Sequence, residues 1–128
     1  MSGTPAPPKR SDHLPPLFAM YWLKMQRQAR ELGYCLALHG SMVRDFDAVA
    51  IPWTEDAVGA EELFLTLAEC LGWNRDHLIP DPAVKPHGRL TYSLFLANDV
   101  ADGTRRQLFL DISILPRAAD VKVGSGTT

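Results

Sequence analysis

The chain has 128 residues, enough for one domain with a real core and too few for two ordinary ones. Apolar residues make up 46 % of it, the ordinary globular share, so the hydrophobic pattern can be read for packing. A net charge of -2 argues against a general nucleic-acid binder, which would carry a strong basic excess. No run approaches the roughly 20 apolar residues that cross a bilayer, so no membrane association is expected.

The first sixteen residues are rich in proline, with Pro5, Pro7, Pro8, Pro15 and Pro16, and read as a flexible arm. They hold no apolar stretch of the kind found in a signal peptide or anchor. Residues 17–117 form the single folded unit, and residues 118–128, ending Gly-Ser-Gly-Thr-Thr, read as a loose tail. Both cysteines, Cys35 and Cys70, lie in apolar runs and read as small buried hydrophobes. Without a Cys/His cluster or a disulfide framework, the chain suits a reducing, cytoplasmic setting.

Leu17 to Leu32 predicts a helix, because Phe18, Tyr21, Trp22, Met25, Ala29 and Leu32 recur at helical spacing and Gly33 stops it. Tyr34 to His39 is almost wholly apolar and predicts a strand buried on both faces. Phe46 to Trp53 predicts a second strand, close enough in sequence to pair with the first as a hairpin. Thr54-Glu55-Asp56 supplies a capping hydroxyl and two acids, predicting a second helix whose apolar face is Ala60, Leu63, Phe64, Leu67, Ala68 and Leu71. Residues 73–89, broken by Pro80, Pro82 and Pro86, predict a loop. Leu90 to Ala97 and Gln107 to Leu115 predict two strands joined as an antiparallel hairpin. The expected fold is α+β: a sheet of about four strands, mixed or antiparallel, with two helices packed on it.

Side chains on a strand alternate faces, so Asp45 and Asp47 point the same way. Asp111 interrupts the apolar run Leu108 to Leu115. A carboxylate buried unpaired in such a strand costs several kcal/mol or is driven toward its neutral form. Two compensations are open. One is a salt bridge, with Arg44, Arg105, Arg106 or Arg117 as partner. The other is a divalent cation, Mg²⁺ or Mn²⁺, which binds carboxylate oxygens and brings phosphates with it. Lys85-Pro86-His87-Gly88-Arg89 is compact and basic, and reads either as a solvated loop or as a group of cations that meets an anionic ligand. His39 reads as a structural histidine or as a base beside the carboxylates. Gly40-Ser41 is an ordinary turn pair.

Taken together, Leu36-Ala37-Leu38-His39-Gly40-Ser41, then Asp45-Phe46-Asp47-Ala48-Val49-Ala50, then Asp111 on a late strand, resemble the core of the nucleotidyltransferase superfamily. The resemblance covers roughly residues 18–116, in a shortened form: only Met42, Val43 and Arg44 separate Ser41 from Asp45. The segment Arg44 to Trp53 also looks like one found in small phage and prophage proteins. The resemblance implies Gly40 and Ser41 against a nucleotide's phosphates, a metal ion held by Asp45 and Asp47, and Asp111 as third ligand or base. The reaction implied is nucleotidyl transfer from a nucleoside triphosphate to an acceptor, with Arg44, Lys85 and Arg89 neutralising the phosphates. The alternative is a non-catalytic accessory protein of phage type that keeps the fold and binds a protein partner.

Overall fold

The computed structural model describes residues 16–40, 45–76, 81–99 and 106–121. Helix α1 runs Pro16–Glu31, strand β1 Tyr34–Leu38, β2 Asp45–Pro52, helix α2 Ala60–Cys70, β3 Ala83–Val84, β4 Leu90–Asp99 and β5 Arg106–Ile114. Of the arm expected at 1–16 and the tail expected at 118–128, residues 1–15 and 122–128 lie outside the described residues, as do Ser41, Arg44 and Arg105; Pro16 opens α1, and Ala118–Asp120 form a short helical turn with Asp120 paired to Arg117.

The five strands form one mixed sheet in the order β1-β2-β5-β4-β3. Every neighbouring pair is antiparallel except β2 and β5, which run parallel at the centre. The chain leaves the sheet after β2, passes through α2, and returns to place its last strand beside the second. This is the expected α+β arrangement with one strand more, because the proline-broken loop contributes the short β3.

Alternation along the strands decides which face is covered. Tyr34 and Leu36 on β1, Phe46, Ala48 and Ala50 on β2, Tyr92 and Leu94 on β4, and Leu108, Leu110, Ile112 and Ile114 on β5 are all buried. They meet the apolar faces of the helices. Phe18 and Trp22 of α1 pack on Phe46 with ring centroids 4.5 and 6.1 Å apart. Phe64 of α2 stacks on Tyr92 at 4.7 Å. Both helices therefore lie on one side, and among the described residues the other face of the sheet carries no helix.

Two expectations need correction. The second helix does not start at Thr54: residues 54–58 form a turn whose backbone bonds back to the end of α1, with Thr54 N–H donating to Gly33 O and Val58 N–H to Leu32 O. Those bonds take the amides away from a helix, which begins only at Ala60 with Glu61 and Glu62 in its first turn. The close approach also explains Gly33, which has φ +95° and where a Cβ would sit 2.6 Å from the Ala57 Cα. The second correction concerns β1. It is an edge strand, with Cys35 exposed and Leu38 half exposed, and is not buried on both faces. Cys70 is buried as expected. Among the described residues no helix is long and apolar enough to cross a membrane.

Candidate functional site

Parallel pairing of β2 with β5 sets Asp47 directly beside Asp111, and Asp45 beside Phe109. On the other side of β5, the hairpin register sets Ser93 of β4 opposite Asp111. Because β2 and β5 use their other face for the core, all three acids stand on the uncovered face. One carboxylate oxygen from each of Asp45, Asp47 and Asp111 lies within 4.8 Å of the others, and all three residues are half-buried. Oxygens that share one divalent ion stand at most about 5 Å apart, since each lies roughly 2.0–2.6 Å from it. The set fits one cation without a change of backbone.

Among the described residues no ion pair joins a cation to any of the three acids. Among the described residues the salt bridges join Arg75 to Glu62 and Glu69, and Arg117 to Asp120. Arg117 also donates to Ala57 O, so it is committed away from the acids. Burial, followed by the charges of Asp111 and Asp45, pushes Asp47 up to about 6. Burial and then Asp45 raise Asp111, and a hydrogen bond with Ser93 and the charges of Lys85 and His39 offset part of that rise. Packed carboxylates that resist ionisation are the electrostatic signature of a site lacking a counter-charge. A hard divalent cation would supply that counter-charge, and the donor set, three carboxylates with no soft ligand, is of the kind such a cation takes.

The surrounding residues divide into those the sheet brings to the acids and those it does not. His39 continues β1 and donates its backbone N–H to Asp47 O at 3.0 Å, which places its side chain close enough to act on both raised acids. Gly40 has φ +77°, and a Cβ there would lie 2.6 Å from Asp47 Oδ2. The glycine leaves room for the carboxylate. Lys85, exposed at the end of β3, acts on Asp111 through its charge. Arg89 stands further along the face. It donates from Nη1 to Ser113 Oγ at 3.3 Å and from Nε to Pro86 O at 3.2 Å. Ser113 is itself buried and shares a 3.0 Å hydrogen bond with Thr91. The open face thus carries a polar row, Arg89-Thr91-Ser113, one step of alternation beyond Asp111.

Sequence reasoning did not select Ser93, Thr91 or Ser113 as site members. A partial signal for Ser93 was present: a hairpin joining β4 to β5 must set some β4 residue opposite Asp111, and Thr91 and Ser93 are the hydroxyls that alternation puts on one face of β4. Beside the acids also lie Phe109 and Phe95, 5.6 Å apart edge to face. Compared with protein-family models and with curated proteins, the chain matches none.

Proposed function

We propose that the chain is a small metal-dependent nucleotidyltransferase-like domain, acting on a nucleoside triphosphate and an acceptor hydroxyl. The observation that carries this reading is the meeting of Asp45, Asp47 and Asp111 within 4.8 Å on the sheet face opposite the two helices. Asp45 and Asp47 would hold Mg²⁺ or Mn²⁺, and Asp111 would be the third ligand or the base. The ion would supply charge neutralisation and would draw the phosphate oxygens to the acids. Asp111 suits the role of base because burial and the neighbouring charge of Asp45 raise its affinity for a proton. As the acceptor oxygen bonds to the α-phosphorus and pyrophosphate departs, the hydroxyl proton would pass to that carboxylate. Lys85 lies where its charge reaches Asp111 and would meet the triphosphate. Gly40 would shape the site by giving Asp47 space, and Ser41 and Arg44, next in the chain, are the further phosphate contacts of this reading.

A second reading, a non-catalytic accessory protein, draws support from Arg89. Its guanidinium is bonded to Ser113 and to the Pro86 carbonyl and not directed at the acids. Calorimetric titration with each of the four nucleoside triphosphates, with and without Mg²⁺, separates the two. Transferase-like chemistry predicts binding that requires metal and weakens in both Asp45→Ala and Lys85→Ala. Absence of heat with every triphosphate, in the presence of Mg²⁺, would contradict it and favour the accessory protein.

A further inference from the structure

The two edges of the sheet are built differently. At one edge β3 is two residues long, preceded by Pro82 and followed by Lys85 and Pro86. Short length, proline and lysine are the usual devices that stop an edge from pairing with another strand. At the other edge β1 is Tyr-Cys-Leu-Ala-Leu, five residues without a charge or a proline. None of those devices is present.

The hydrogen-bond phase of β1 follows from its ends. Gly33 O accepts from Trp53 N–H at 2.7 Å, and His39 N–H donates to Asp47 O at 3.0 Å. In an antiparallel pair the residues that bond to one neighbour alternate. Cys35 and Ala37 therefore bond to β2, and Tyr34, Leu36 and Leu38 turn their N–H and C=O groups outward. No backbone bond from those outward groups is found among the described residues. Unpaired peptide groups on an apolar strand are costly unless another chain or water takes them.

We propose that β1 pairs antiparallel with β1 of a second copy, continuing the sheet through a two-fold axis at Leu36. Three outward residues, symmetric about Leu36, make the edge its own complement: Tyr34 pairs with Leu38 of the other copy, and Leu36 with Leu36. This is the isologous contact of a two-fold dimer. The flanking surface is apolar or neutral at the same place. Leu38 is 52 % exposed. Trp53, 79 % exposed, borders a groove of about 330 Å³ with Gln26, Arg30, Tyr34 and Cys35. Among the described residues Arg30 is the one charged group lining that groove, so its lining brings no cluster of like charges to the contact. A five-residue strand with one helix flank lies at the small end of interfaces, below about 1,200 Å² in total, so the dimer is reversible. This inference is independent of the metal site, which occupies the open face and not the edge.

Sedimentation velocity from micromolar to near-millimolar protein tests it. The expected result is a reversible shift from monomer to dimer. Leu38→Pro removes one outward donor and no β1–β2 bond. It is expected to leave circular dichroism unchanged and to abolish the shift. In the wild-type chain, Cys35 is the exposed cysteine and Cys70 the buried one. The register sets the two Cys35 residues on a diagonal, about 7–8 Å apart. A short bis-maleimide is therefore expected to link them at the higher concentrations. A chain that stays monomeric throughout overturns the proposal and leaves the edge to residues 1–15 or to a strand of another protein. A dimer that a folded Leu38→Pro variant retains, or one whose Cys35 residues resist linking, overturns it equally.

Discussion

Strand β2 presents Phe46, Ala48 and Ala50 to the helices and Asp45, Asp47 and Val49 to the opposite side. The two faces of one sheet are thus built for different ends. The covered face is aromatic and aliphatic, closely packed, and free of charge. The open face gathers three acids at its centre with a serine, two threonine or serine hydroxyls and an arginine beside them. Stability is concentrated on the first face. The second holds charges that repel one another, an arrangement that costs stability and is expected where a ligand completes the site.

The largest effect should come from cutting into the covered face. Phe46 is fully buried between Phe18 and Trp22, so Phe46→Ala should cost about 3–5 kcal/mol in chemical denaturation. Phe95, 44 % exposed on the open face, should lose far less on truncation, about 1 kcal/mol or below. Equal losses at the two positions would break the comparison.

Next in size is Gly40→Ala. The positive φ and the contact with the Asp47 carboxylate should together cost about 1 kcal/mol or more. The same change should weaken any effect of Mg²⁺ on the melting temperature, because the displaced group is Asp47. A stability loss with an unchanged metal response would place Gly40 outside the site.

Substitution within the acids should act in the opposite sense. Asp47→Asn keeps the shape and removes one of three mutually repelling charges, so in metal-free buffer at neutral pH it should raise the melting temperature by a few degrees. A fall would show that Asp47 is paired in solution and that the open face resembles the covered one in being self-sufficient.

Much of this comparison was legible in the residues. Alternation alone put Asp45 and Asp47 on one side, and Asp111 stood out in an apolar run. The glycine stop at Gly33 and both hairpins could be read from local signals. The parallel contact of β2 with β5 could not, because it joins strands about sixty residues apart and leaves no local signature. That contact is what puts Asp47 against Asp111. The exposure of Cys35 escaped for a related reason: an apolar strand reads alike at a sheet's centre and at its edge, and only the order of the strands distinguishes them. The start of α2 was misplaced because Thr54-Glu55-Asp56 is a sound capping sequence whose amides are claimed by a tertiary contact with Leu32 and Gly33.

The smallest predicted effect is in pH. Asp47 titrates near 6 in the folded chain against an ordinary carboxylate value of 3.8. Between those values the folded state binds more protons than the unfolded one, so the contribution of this group to stability is present below about pH 4 and is lost as pH rises through about 6. Melting temperatures of the metal-free chain and of Asp47→Asn, measured across that window, should converge at the acid end and separate toward neutral pH. A separation that grows toward acid would reverse the sign and contradict the repulsion between the acids.

The central claim is that Asp45, Asp47 and Asp111 together hold a divalent cation. It is tested most directly by titrating Mn²⁺ into the metal-free chain above pH 7, with free Mn²⁺ followed by electron paramagnetic resonance. The account predicts saturable binding of Mn²⁺ that Mg²⁺ displaces, that Asp47→Asn and Asp111→Asn each abolish, and that weakens as pH falls through about 6. Mn²⁺ that remains free at millimolar concentration, or binding that survives either substitution, would contradict it.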